Sequence, residues 1–195
     1  MTEVKVLIDG YDHEIEGGWI ASSTTTLIKL DNKNIVVDPG CNRARLISSL
    51  AENNLKTGDI DFVLQTHNHT DHILLSGIFE NAKIVTPTEL YDNDRQTYYD
   101  GQVLGLDLEI IKTPGHSGDS RSFIVKVEGK TYAVAGDLFW WVDGEGQKID
   151  RESLANHPDP YAKDIELLKK NRQKILDLAD FIIPGHGKMF ANKKG

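Results

Sequence analysis

Cysteine is almost missing from this chain of 195 residues: Cys41 stands alone. An internal disulfide and a Cys-rich zinc framework are therefore excluded, and any metal must be held by histidine and carboxylate. Long apolar runs are missing too. No uninterrupted stretch approaches the roughly 18 residues that suggest a membrane span, and the richest segment, Tyr132 to Val142, is broken by Gly136 and Asp137. The N-terminus lacks a basic segment followed by an apolar core, because Glu3, Asp9 and Asp12 interrupt it, so a cytoplasmic protein with no membrane partner is expected. Positive charge is in short supply: 22 Lys and Arg face 30 Asp and Glu, for a formal net charge of −8. That leaves little of the basic footprint that nucleic-acid binders carry, although a local groove is not excluded. Low-complexity tracts, fixed-period repeats and linker-like compositions are absent, and a single domain over 1–195 is expected.

What is present is ordinary globular composition, 39% hydrophobic and 27% charged. Short β-like runs are set among helices. Val4 to Ile8 alternates; Thr25 to Leu30 and Asn34 to Val37 flank a turn at Asp31-Asn32-Lys33; Ser122 to Val127 and Lys130 to Ala135 flank a turn at Gly129. These patterns predict antiparallel hairpins. Asn42 to Asn54 carries Leu46, Ile47, Leu50 and Ala51 at helical spacing. Asp159-Pro160 reads as an N-cap with proline in the first helical position, opening a helix through Leu178 with Ile165, Leu168 and Ile175 on its buried face. The expected class is α/β or α+β.

Five apolar runs end in polar turns: Asp38-Pro39-Gly40, Thr66-His67, Thr113-Pro114-Gly115-His116, Gly136-Asp137 and Pro184-Gly185-His186. Strands position what the following turn presents, so these turns are expected to converge on one rim. The densest is His67-Asn68-His69-Thr70-Asp71-His72, which holds three of the seven histidines. Imidazole and carboxylate suit zinc, manganese or iron, and a set without cysteine fits an open catalytic site better than a closed structural one. His116 and His186 each follow a Pro-Gly pair; a single such histidine is usually structural, and the repeated context is what turns both toward the same task. Asp137 ends an apolar strand, where a carboxylate is costly unless paired or metal-bound. His13 and His157 lie outside any ligand spacing and are expected at surface or turn positions. Cys41 follows the Asp38 turn and is expected to be inert and buried unless it reaches the rim. Trp140 and Trp141 follow Asp137-Leu138-Phe139 and are candidates for a substrate-pocket wall, with at least one of the two expected in packing. Lys188, Lys193 and Lys194 are expected to be a solvated tail.

The His-x-His-x-Asp-His loop, the Pro-Gly-His turn, the Gly-Asp and the final Gly-His, in that order, resemble the metallo-β-lactamase superfamily. The resemblance runs from Asp38 to His186. It implies an αββα sandwich of two mixed sheets with helices outside. It further implies one metal on His67, His69 and His116, a second on Asp71, His72 and His186, Asp137 bridging the two, and Asp38 orienting a ligand imidazole. Asp137 in place of cysteine, with Asp71-His72, is unlike the zinc β-lactamases that use a cysteine, and His69 stands where the flavodiiron branch carries glutamate. With nine residues after His186, the helical domain of glyoxalase II is not expected, nor is the large insert of the polynucleotide-processing branch. Asp137-Leu138-Phe139 and the compact length are similar to small single-domain members.

The cofactor expected from this resemblance is a pair of divalent ions, zinc ahead of manganese or iron. The expected activity is hydrolysis by a metal-bridging hydroxide, with Asp71 accepting a proton, on a small ester, thioester or lactone. The alternatives are a phosphodiesterase or ribonuclease of the same fold, a mononuclear iron persulfide dioxygenase, and a metal binder without catalysis. The oligomeric state is not encoded in any feature of the chain.

Overall fold

The computed structural model describes residues 2–30, 32–103 and 106–193. Asp31 and Lys194, named above in a turn and a tail, lie outside the described residues. Seven strands form one sheet in the order β1-β4-β5-β6-β7-β8-β9: β1 (Glu3–Ile8), β4 (Thr25–Leu30), β5 (Lys33–Val37), β6 (Phe62–Leu64), β7 (Lys83–Val85), β8 (Glu89–Asp92) and β9 (Arg95–Tyr98). A second sheet has the order β10-β11-β12-β13-β14, from β10 (Glu109–Lys112), β11 (Arg121–Val127), β12 (Lys130–Gly136), β13 (Phe181–Pro184) and β14 (Phe190–Ala191). A separate hairpin pairs β2 (Tyr11–Ile15) with β3 (Gly18–Ser22). The helices are α1 (Arg43–Glu52), α2 (Thr70–Ile73), α3 (Arg151–Asn156) and α4 (Ile165–Leu178). Both large sheets are mixed: β5, β6 and β7 run parallel in the first, as do β12 and β13 in the second, while the other pairs are antiparallel.

Strand periodicity builds the layers, because successive side chains point to opposite faces. Ile28, Ile35, Val37 and Leu64 face Phe123, Val125, Val134 and Ile183 of the other sheet in one core. Their neighbours Leu27, Val36 and Val63 point the other way, onto Leu46 and Leu50 of α1. On the far side Ile124, Ala133 and Ile182 meet Leu154 of α3 and Leu168, Ile175 and Leu176 of α4. The order is helix, sheet, sheet, helix, as the sequence resemblance implies. Among the described residues no helix is long and apolar enough to cross a membrane.

Three expectations need correction. Helix α4 opens at Ile165, with Asp164 as N-cap accepting from the Leu167 N–H, and not at Asp159-Pro160. Ile165 is consequently 41% exposed, while Leu168 and Ile175 are buried as expected. Ile47 is also 41% exposed; α1 buries a narrower stripe, Leu46, Ser49 and Leu50, because Ser49 donates to the Leu7 carbonyl and turns that side of the helix inward. His157 takes the expected turn position, at the C-cap of α3, but is half-buried and not free at the surface: its ring packs on Trp141, with centroids 5.3 Å apart, and Glu145 lies 4.0 Å away.

Candidate metal centre

All five polar turns open on one end of the sandwich. β5 delivers Asp38, β6 delivers Thr66 and the loop into α2, β10 leads to His116, β12 to Asp137 and β13 to His186. Close packing of the turns explains their glycines: a Cβ on Gly185 would run into Asp137 Oδ1, and one on Gly115, at φ +146°, would run into the backbone of Leu168 on α4.

The seven histidine and aspartate side chains fall into two groups able to hold a metal ion, His67, His69, His116 and Asp137 in one, and Asp71, His72 and His186 in the other. Asp137 stands between them. Its Oδ2 lies 3.5 Å from His67 Nε2 and 3.3 Å from His116 Nε2. Its Oδ1 lies 3.2 Å from His72 Nε2 and 3.8 Å from His186 Nε2. Asp71 Oδ2 is 3.1 Å from His186 Nε2, and His69 Nδ1 is 3.2 Å from His116 Nε2.

The outer nitrogens of four of these rings settle which tautomer each takes. His72 Nδ1 meets Asp38 Oδ2 at 2.8 Å, and His116 Nδ1 meets Asp159 Oδ2 at 2.8 Å. His186 Nδ1 meets the Tyr11 carbonyl at 3.1 Å. Each partner can only accept, so each Nδ1 donates. His67 Nδ1 meets the Thr66 hydroxyl at 3.0 Å, and that hydroxyl spends its own proton on Asp38 Oδ2 at 2.7 Å, so this Nδ1 donates as well. In the neutral ring the lone pair is then left on Nε2, pointing inward. Among the described residues His67 Nε2, His72 Nε2 and Asp137 Oδ1 are buried with no hydrogen-bond partner. Buried polar atoms are rarely left so. Inward lone pairs around a shared carboxylate are what a cation would satisfy, and the chemistry of the donor set fits divalent metal.

Proton affinities differ between the groups. Burial would lower His72, but the Asp137 and Asp38 carboxylates outweigh it and raise it well above the ordinary histidine value. Burial likewise opposes His186, which Asp137 and Asp71 raise. In the other group burial, reinforced by His72, lowers His67, and burial with His67 and His116 lowers His69 to about 4. Burial would raise Asp137 and Asp71; the facing imidazoles prevail, holding Asp137 well below the carboxylate range and Asp71 at about 2.

The centre opens into a cavity of about 590 Å³, whose apolar wall includes Trp19, Leu74, Trp140 and Tyr161. Cys41 also lines it, with Sγ 2.9 Å from the Ala21 carbonyl, and burial pushes its thiol up. Trp140 is thus the pocket residue of its pair. Trp141 is corrected to the core, where it packs between Phe190 and His157, because consecutive residues after the Asp137 turn point to opposite sides. His13 is exposed on β2, away from the centre. Asp159 was missed as a site residue by its resemblance to a helix cap. The Asp-Pro pair gives no local sign that it reaches His116, 43 positions away. Arg172 of α4, fully buried, braces the same region by donating to the carbonyls of Leu138 and His157.

Comparison with known proteins agrees with this geometry. The family model described as the metallo-beta-lactamase superfamily matches residues 19–89. Metallo-beta-lactamase domain-containing protein 1 of Xenopus laevis is 33% identical over 96% of this chain and 80% of its own length. The Mus musculus protein of the same name is 34% identical over 86% of this chain, which spans 65% of that protein. A hydroxyacylglutathione hydrolase of Psychromonas ingrahamii is 33% identical over 46% of this chain and 37% of its own. Among solved structures, one from Thermotoga maritima assigned to the metallo-beta-lactamases aligns with a TM-score of 0.71 at 18% identity, covering 97% of this chain and 99% of that one. AidC, a dizinc quorum-quenching lactonase, aligns with a TM-score of 0.61 at 16% identity, over 87% and 74% of the two chains. These two likenesses concern the fold. The relatives, the ordered motifs and the paired donor groups together place this chain in the metallo-β-lactamase superfamily, as a metal-dependent hydrolase.

Proposed function

We propose that the protein holds two divalent ions, zinc foremost, and hydrolyses a small ester, thioester or lactone. His67, His69 and His116 would hold one ion, Asp71, His72 and His186 the other, and Asp137 would give one carboxylate oxygen to each. The observation that carries this reading is the set of four imidazoles whose Nδ1–H is spent outward, leaving Nε2 lone pairs around Asp137. Bound divalent ions supply Lewis acidity and bring the pKa of bound water toward about 7. The chain's own residues do the rest. Asp38 and Asp159 fix two of the rings, and Asp71, whose carboxylate lies 3.1 Å from His186 Nε2 at the centre, would take up a proton at that carboxylate. Trp19, Leu74, Trp140 and Tyr161 keep water from the apolar part of the substrate. The thioester part of the reading draws support from the partial likeness to a hydroxyacylglutathione hydrolase.

Metal analysis of protein purified without chelator, with initial rates on thioesters, lactones, aryl esters, bis-aryl phosphodiesters and RNA, tests this. Two ions per chain and turnover of carbonyl esters are expected. A stoichiometry that stays near one after zinc, manganese or iron is supplied would remove the dinuclear reading and favour persulfide oxygenation by iron. Turnover confined to phosphodiesters or RNA would replace the substrate class.

A further inference from the structure

Of the histidine, carboxylate and lysine side chains lining the cavity, five belong to the two donor groups: His69, Asp71, His116, Asp137 and His186. Two are left over, Asp12 and Lys163. They sit at different ends. The Lys163 backbone N–H donates to the carbonyls of Gly115 (2.8 Å) and His116 (3.3 Å), which pins this residue beside the turn that carries a ligand of the first group. Its ammonium makes no ion pair or hydrogen bond among the described residues. Asp12 is on β2, next to Tyr11, whose carbonyl holds His186 of the second group, and its own carbonyl accepts from the Asp143 N–H at 2.8 Å. Burial raises the Asp12 carboxyl, His186 opposes this, and Asp71, Asp137 and Asp143 add to it. Between the two ends the wall is apolar.

Resting on the hydrolase reading above, we infer that Lys163 is a specificity-determining residue, selecting substrates that carry a carboxylate on an apolar body, and that Asp12 sets which way round they lie. A lone ammonium at the exposed mouth of the cavity attracts an anion, and a carboxylate at the other end repels it, so a substrate with one charged end is oriented before reaction. Trp19, Leu74, Trp140 and Tyr161 supply the surface for its apolar body.

The test is binding of 4-phenylbutyrate and its uncharged partner 4-phenylbutyramide to the metal-loaded protein, followed by the fluorescence of Trp19 and Trp140. Lys163→Gln is expected to weaken the acid about fivefold, to leave the amide unchanged, and to be rescued by Lys163→Arg. Asp12→Asn is expected to tighten the acid about two- to threefold. Wild-type acid binding by Lys163→Gln, or equal weakening of acid and amide, overturns the selectivity; unchanged or weaker acid binding by Asp12→Asn overturns the orienting role. Because binding needs no turnover, the two proposals fail separately. If no ester or thioester is hydrolysed while the discrimination holds, the hydrolase reading falls; hydrolysis without discrimination removes only Lys163 and Asp12 from the account.

Discussion

Asp38 and Asp159 each hold the Nδ1 of a centre histidine at 2.8 Å, yet they are built in opposite ways. Asp38 ends β5, takes a positive φ of 48°, and accepts from the Thr66 backbone and hydroxyl as well as from His72, so one carboxylate ties two strand ends together. Asp159 sits in an irregular segment between α3 and α4. It is held by the Tyr161 N–H and His116, and the neighbouring His157 carbonyl is anchored by the buried Arg172. The first brace belongs to the sheet; the second is assembled from a loop and a distant helix. A rigid donor set can therefore be made either from a strand end or from a loop that a helix pins in place.

The hardest strain on that comparison comes from the residue between the two braces. If Asp137 supplies one oxygen to each ion, it separates cations whose repulsion opposes double occupancy. Asp137→Ala is expected to lose more than one ion's worth of affinity and nearly all turnover, measured by metal titration with folding followed by circular dichroism. A folded variant that takes up two ions with wild-type affinity would show Asp137 to be no bridge. Next in size are the braces themselves. Asp38→Asn and Asp159→Asn are each expected to reduce metal affinity or activity about 10- to 100-fold, with the Asp38 loss the larger because its Oδ2 accepts from both the Thr66 hydroxyl and His72, and an amide nitrogen there accepts from neither. Equal losses would mean that the Thr66 contacts add nothing.

Proton competition should also separate the two groups. A metal must displace a proton from a histidine whose pKa is raised, and none from one whose pKa is lowered. His72 and His186 are raised by facing carboxylates, while His67 is lowered and His69 sits at about 4. As pH falls below neutral, the Asp71, His72 and His186 group is expected to release its ion first, seen as a stepwise loss of bound metal against a competing chelator. Release in the reverse order, or of both ions together, would contradict the asymmetry. Asp38→Asn removes one of the charges that raise His72 and should bring the two steps closer.

Much of this centre was legible because the information is local. A strand followed by a polar turn can be read from a few adjacent residues, and that is how Asp38, His67, His69, Asp71, His72, His116, Asp137 and His186 are found. The alternating runs gave the central strands for the same reason, since Leu27 and Ile28 declare their opposite faces by position alone. The hairpin of β2 and β3 was not legible, because its exposed Ile15, Trp19 and Ile20 do not alternate as a half-buried strand does. The pocket role of Trp140 against the core role of Trp141 depends on how the turn after Gly136 rotates, at φ +55°. Asp159 was hidden by a better local explanation: Asp-Pro before an amphipathic stretch has the form of a helix start.

That competing explanation can be put to direct trial, and it gives the smallest expected effect. Were Asp159 a cap, its removal would cost helix stability and leave metal binding alone. Asp164 instead accepts from the Leu167 N–H at 2.9 Å, and the α4 ladder begins beyond it. Asp164→Ala should therefore lower stability by about 1 kcal/mol, with metal affinity nearly unchanged. Asp159→Ala should do the converse, weakening metal binding well beyond any loss of helix. Thermal unfolding and metal titration of the two variants make the crossed comparison, with His13→Ala as a control expected to change neither. If Asp164→Ala were to cost metal affinity as much as Asp159→Ala, the loop and helix would act as one unit. The contrast with the strand-built brace at Asp38 would then lie in the whole of α4, not in the carboxylate beside His116.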